Sequence, residues 1–237
     1  MAIKTINTKG RYHEEIKLLW ENQKESIKNN NKKLKKVMGR GAFLEDKLYT
    51  DTILFLGIGS SHDGEDHGTC EPYDNINYHN IAKSKASYYK AIEEIVGQTK
   101  FKKWSHIDLT LLRETKQKSV ESFYKDNYAI MREQNVFAIK MIKQSKPKLI
   151  VASNAFVRKI LQNEKVVSNQ PEFGLGFEFS SADKVDEKTG TYIITKPLAN
   201  VPVFFTRMLS GQGQLDIGSR ERLIWHINYV CKVLKIN

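Results

Sequence analysis

Cysteine is scarce in this chain. Cys70 and Cys231 are the only two in 237 residues, so they form no disulfide framework and read as free thiols of a reducing compartment. Long apolar runs are also missing. None approaches the roughly 20 residues that cross a bilayer, and Met1 to Gly10 lack the apolar segment of a signal peptide. These absences predict a cytoplasmic protein with no membrane partner. Internal repeats and long linkers are absent too, and 40% hydrophobic residues argue against disorder. Acid is under-represented. Lys and Arg number 38 against 27 Asp and Glu, a formal net charge of +11.

That excess attracts polyanions, of which nucleic acid is the usual one, and DNA is the partner expected here. No obligate protein partner is evident. The charge clusters in Lys24, Lys28, Lys32, Lys33, Lys35 and Lys36, with Arg40 beyond. Such a strip suits phosphates, and it equally suits a solvated helix face.

The apolar runs that do occur are short. Ile53 to Leu56, His106 to Leu111, Lys148 to Ala152 and Val201 to Thr206 read as buried strands. Helical spacing covers residues 11–38, with a break at Asn29 to Asn31, then 81–96, 119–144, 155–163 and 219–234. Asn154 and Ser219 are candidate caps for the last two. Residues 177–179 and 191–195 suggest a hairpin with an exposed tip at Lys184 to Lys188. The alternation predicts an α/β fold, a three-layer α/β/α sandwich around a short, mostly parallel sheet. Residues 1–48 read as a helical extension and 49–237 as the α/β domain.

The first strand runs into Gly57-Ile58-Gly59-Ser60-Ser61. Glycines at a strand's carboxyl end let the backbone turn and approach a ligand closely, and ligands of open α/β sheets sit at that edge. The other strand ends carry polar residues: Asp108 to Glu114, Ala152-Ser153-Asn154, and Thr206-Arg207-Met208-Leu209-Ser210-Gly211. Asp108 faces a pocket or caps backbone amides. Trp104 and His106, Tyr88 and Tyr89, and His226 read as packing residues. Leu209 or Leu215 either wedges into a base stack or closes the core.

This set of strand ends resembles the uracil-DNA glycosylase-like superfamily over about residues 50–235. Ile150-Val-Ala-Ser153 partly matches that family's third strand end. Met208-Leu209-Ser210 stands where a His-Pro-Ser loop would, and Ser219-Arg-Glu-Arg-Leu223 looks like the entry to the final helix. Ser60 replaces a common proline, Gly59 a water-positioning residue, and Met208 (or Arg207, if the loop shifts by one) the catalytic histidine. The resemblance implies a DNA base-excision glycosylase. It would cleave the N-glycosidic bond of a damaged or unusual base flipped out of the stack. On that reading Asp108 reads the base edge or orients water, and Asp63 (or Asp66) could also orient water. Arg207 supplies charge to the leaving group. Gly57, Ile58, Gly59, Ser60, Ser61, Asn154, Met208 and Ser210 bind substrate. A carboxylate only accepts hydrogen bonds, so Asp108 suits a donor-rich edge such as that of guanine.

Two rivals remain open. A non-catalytic nucleic-acid or nucleotide-binding protein would account for the missing histidine. A metal-dependent phosphodiesterase would use the loop His62-Asp63-Gly64-Glu65-Asp66-His67, with Cys70 and Glu71 nearby. The glycosylase reading needs no cofactor and no metal.

Overall fold

The computed structural model describes residues 3–27 (without the side chains of 24–26), 32–61, 76–80, 83–162, 175–180, 184–211 and 213–236. Along the chain run β1 (Thr5–Asn7), α1 (Thr8–Ser26), α2 (Lys32–Met38), β2 (Ala42–Glu45), β3 (Lys47–Tyr49), β4 (Ile53–Gly57) and β5 (Ile76–His79). Next come α3 (Ser87–Gly97), β6 (Trp104–Asp108), α4 (Gln117–Asp126), α5 (Tyr128–Ser145), β7 (Leu149–Ser153) and α6 (Ala155–Leu161). The described chain closes with β8 (Glu178–Phe179), β9 (Tyr192–Lys196), β10 (Val201–Thr206) and α7 (Ile217–Val233).

The fold is mixed α/β. Among the described residues its main sheet has six strands in the order β6-β4-β7-β10-β9-β8. The first four are parallel, and β9 and β8 add antiparallel at one edge. Alternation along β4 explains why its whole run is apolar. Ile53 and Phe55 join a core cluster with Ile92 and Ile95 of α3 and Ile227 and Val230 of α7. Leu54 and Leu56 join a second cluster with helices α1, α2, α4, α5 and α6. Both faces of the strand are therefore buried, as parallel sheets require.

Tyr12, Ile16 and Trp20 of α1 lie in the second cluster, each at most 1% exposed. The first 48 residues thus share the core of the sheet. They also bring two small ladders. β1 pairs antiparallel with β3, and β2 pairs parallel with β5, placing Glu45 opposite His79. Neither ladder was expected. β2, β3 and β5 are too short to show periodicity.

Boundaries moved for local reasons. The second strand was expected at 106–111 and lies at Trp104–Asp108. Leu109, Leu111 and Leu112 are buried like strand residues, yet they follow the glycine elbow in a bent path, with the Leu109 and Thr110 amides donating to the carbonyls of Gly57 and Ile58 (both 3.0 Å). The single helix expected over 119–144 is two, because Asn127 leaves helical geometry at φ −137°, ψ 45°. Asparagine competes with helix by bonding locally. The last helix starts earlier than Ser219. Asp216 is its cap and accepts from the Ser219 hydroxyl (2.7 Å) and amide (2.8 Å), and these bonds hold its carboxyl below the usual range.

Candidate functional site

The carboxyl ends of β4, β6 and β7 and the loop after β10 border one cavity of about 270 Å³. Of the residues singled out in the sequence, Gly57, Ile58, Gly59, Ser60, Ser61, Asp108, Asn154, Met208 and Ser210 line it. Arg207 does not. β10 ends at Thr206, opposite Ser153, and the next residue is exposed to solvent. Leu209 and Leu215 are 2% and 8% exposed in the α3–α7 cluster, so they close the core and do not wedge into a base stack. Asp63, Asp66 and the rest of the His62 to His67 loop, with Cys70 and Glu71, lie outside the described residues. Among the described residues no group of three or more His, Cys, Asp or Glu is placed to hold a metal ion.

The floor of the cavity is built by register. Gly57 and Asp108 are direct partners across the β4–β6 ladder. The Asp108 carboxylate leans over Gly57, so a β-carbon there would overlap Asp108 Oδ1 and lie 3.0 Å from His106 Nε2. Glycine is required at 57 by close approach. Gly59 obeys the same logic, since its β-carbon would stand 2.8 Å from Thr110 Oγ1.

Behind Asp108 lies a buried chain of titratable groups. His106 Nε2 is 3.5 Å from Asp108 Oδ1, and Nδ1 is 2.9 Å from Glu45 Oε1. Glu45 Oε2 accepts from the His106 amide at 3.3 Å. The Glu45 side chain enters because β2 is fastened beside β6. Thr8 Oγ1 donates to the Glu45 carbonyl, and the Phe43 amide donates to the Leu111 carbonyl at 3.2 Å.

Burial disfavours every charged form in this chain of groups. It pushes the Asp108 carboxyl up to about 7 and the Glu45 carboxyl well above the usual carboxylate range. It also lowers the His106 imidazole to about 3, with His79 adding a smaller push the same way. One proton arrangement satisfies all three shifts. Glu45 keeps its proton, His106 is neutral and Asp108 titrates near neutrality, while Glu45 Oε1 and His106 Nε2 make no hydrogen bond among the described residues.

Aromatic rings wall the site. Tyr88 and Tyr89 meet the His106 ring edge-on at centroid distances of 5.3 and 5.7 Å. Ser153 Oγ donates to the Leu56 carbonyl at 3.1 Å, so the Tyr88 hydroxyl, 2.8 Å from Ser153 Oγ, donates to it. Burial pushes the Tyr88 hydroxyl up, which keeps it neutral. Asn154 sits at φ 113°, a strained region for a non-glycine residue. Its side chain caps α6 through the Phe156 amide (2.8 Å) and donates to Gln117 (3.1 Å).

No family model, curated protein or solved structure matches the chain. The site must therefore be read from its own chemistry. Sequence reasoning missed Glu45, Arg113 and Ser153 and assigned His106, Tyr88 and Tyr89 to packing. Those rings do pack, but they pack around a cavity. His106 carried one usable signal. It stands two residues before Asp108 on a strand, hence on the same face. Glu45 carried none, because β2 is visible only once folded. His226 is structural as expected, with Nε2 2.7 Å from the Thr189 carbonyl and its ring against Phe204.

Proposed function

We propose that the cavity binds a nucleobase and that the protein hydrolyses an N-glycosidic bond, in the manner of a divergent uracil-DNA glycosylase-like protein. The observation that carries this reading is the Asp108 carboxyl. It rests over a glycine at a strand end, is buried, is held near pH 7, and is backed by neutral His106. A general base works best when its pKa lies near the operating pH. Asp108 would take a proton from water as the water oxygen bonds to C1′. The C1′–N bond breaks with its electron pair going to the base, and the departing base regains a proton on release. His106 Nε2, 3.5 Å from Asp108 Oδ1, is at hand for water or for the base.

Tyr88, Tyr89 and Phe43 give the cavity an aromatic lining that suits a nucleobase. A three-layer α/β/α sandwich goes with the same reading, and helices in two separate core clusters support it. Arg207, exposed, is not needed for the leaving group. DNA is proposed as the carrier of the base, and a cytoplasmic location goes with it. In support, Lys32, Lys33, Lys35 and Lys36 are exposed on α2. Arg40, just beyond, donates to the carbonyl of Arg113 at the cavity wall (2.8 Å), so the basic strip leads to the site.

The test is base release from single- and double-stranded DNA carrying uracil, hypoxanthine, xanthine or oxidised bases, read as alkali-labile abasic sites. Release that disappears in Asp108→Ala supports the proposal. Salt-sensitive binding with no release from any strand would replace it with the non-catalytic reading.

A further inference from the structure

A second polar centre lies in the same cavity, away from Asp108. Beyond Gly57 the elbow continues the ladder with the chain after β6. The Ser60 carbonyl accepts from the Glu114 amide at 3.0 Å, and Ser60 and Arg113 form a parallel bridge. Both residues line the cavity. Ser60 Oγ and Arg113 Nε are buried, and neither has a hydrogen-bond partner among the described residues. Buried donors left unpaired are costly, by about 1–3 kcal/mol each, so each such group calls for an account.

The charge at this point is also unspent. Glu114 is the adjacent carboxylate, and it is taken by Arg40, whose Nη1 is 3.3 Å from Glu114 Oε2. The same Arg40 nitrogen holds the Arg113 carbonyl. Arg113 itself forms no ion pair among the described residues. Its guanidinium carbon lies over the Phe43 ring, 5.7 Å from the centroid. A guanidinium at a cavity wall, next to a hydroxyl and a glycine-rich backbone, matches the oxygens of a phosphate.

Register keeps the two centres apart. Gly57 pairs with Asp108 and Ser60 with Arg113. Arg113 follows Asp108 by five residues and Ser60 follows Gly57 by three, so the two centres are separate points that border the same cavity.

We propose that Arg113, with Ser60, forms a phosphate subsite, so that the cavity takes a nucleoside 5′-monophosphate unit, free or within a strand. This rests on the base-pocket reading of Asp108, and the test separates the two. Equilibrium binding is measured for 2′-deoxyguanosine, its 5′-monophosphate, deoxyribose 5-phosphate, and a single-stranded decanucleotide containing dG.

The expected result is that the monophosphate binds about ten- to a hundredfold tighter than the nucleoside. Arg113→Ala abolishes this ratio, Arg113→Lys restores part of it, and Ser60→Ala lowers it. Circular dichroism of each variant checks the fold. A ratio near one, with no binding of deoxyribose 5-phosphate, overturns the subsite whatever the base does. Arg113-dependent binding of deoxyribose 5-phosphate without binding of deoxyguanosine keeps the subsite and removes the guanine-type base pocket. A larger Arg113 effect on the decanucleotide than on the mononucleotide assigns the phosphate to a strand, and the reverse assigns it to a free nucleotide.

Discussion

The Asp108 carboxylate occupies the space above the Cα of Gly57 that a side chain would otherwise fill. This pairing joins the strand, the elbow and the chemistry at one point. The glycine lets the acid lie across the strand end, and the acid is thereby buried against His106.

Gly57→Ala should displace Asp108. We expect a stability loss of roughly 1–3 kcal/mol from overpacking and a fall in base release of about a hundredfold, the scale of an ångström-sized misplacement. Removing the overlapped group should relieve the strain, so Gly57→Ala with Asp108→Ala should lose less stability than the sum of the single variants. Strict additivity in chemical denaturation would show that the two residues do not touch as described.

Asp108 should also weaken the fold as it ionises. Its carboxyl titrates at about 7 in the folded protein, against an ordinary value of 3.8, so between these values the native state holds more protons than the unfolded chain. Stability from this group is complete below about pH 4 and is lost as pH rises through 7. Asp108→Asn escapes that loss. The variant should be more stable than the parent at pH 8 by roughly 1–4 kcal/mol, with the gap narrowing towards pH 5. A gap independent of pH would contradict the burial of this carboxyl. His106 acts in the opposite sense. Its lowered value of about 3 removes stability as pH falls below 6.5.

Glu45→Ala should leave His106 Nδ1 buried without its facing carboxyl. The expected cost is about 1–3 kcal/mol, and Glu45→Gln, which keeps a polar group facing the ring, should recover much of it. Equal losses in thermal unfolding of the two variants would show that the Glu45 carboxyl, 2.9 Å from Nδ1, does not hold the ring.

Neutralising the exposed lysines of α2 tests the DNA path. Lys32, Lys33, Lys35 and Lys36 changed together to Gln should reduce the slope of log affinity against log salt by about 0.7–0.9 for each phosphate that these lysines neutralise. An unchanged slope would make α2 a solvated face.

The parts of this molecule that could be read from its sequence were those with a period or a backbone demand. The core strands β4, β7 and β10 are continuous apolar runs, and the glycine elbow announced a turn at a strand end. These features place Asp108, Ser60 and Asn154 at one edge. The parts that could not be read come from pairings distant in sequence. Glu45 reaches His106 across 61 residues through a four-residue strand, which has no periodicity to detect. Arg113 looked like one charge among many, and only the bridge to Ser60 puts it in the cavity. Arg207 was singled out by residue type alone, and the end of the β10 ladder leaves it exposed outside the cavity lining.

The central claim is that Asp108 performs N-glycosidic hydrolysis in its ionised form. The most direct measurement is single-turnover base release as a function of pH, from whichever strand of the panel reacts, by the parent protein and by Asp108→Asn. The account predicts a rate that rises with pH to a plateau, with a midpoint near the value of about 7 of the buried carboxyl, and a loss of at least about a hundredfold in the variant across the range. A variant that releases base at the parent rate, or a parent profile flat through pH 7, would contradict it.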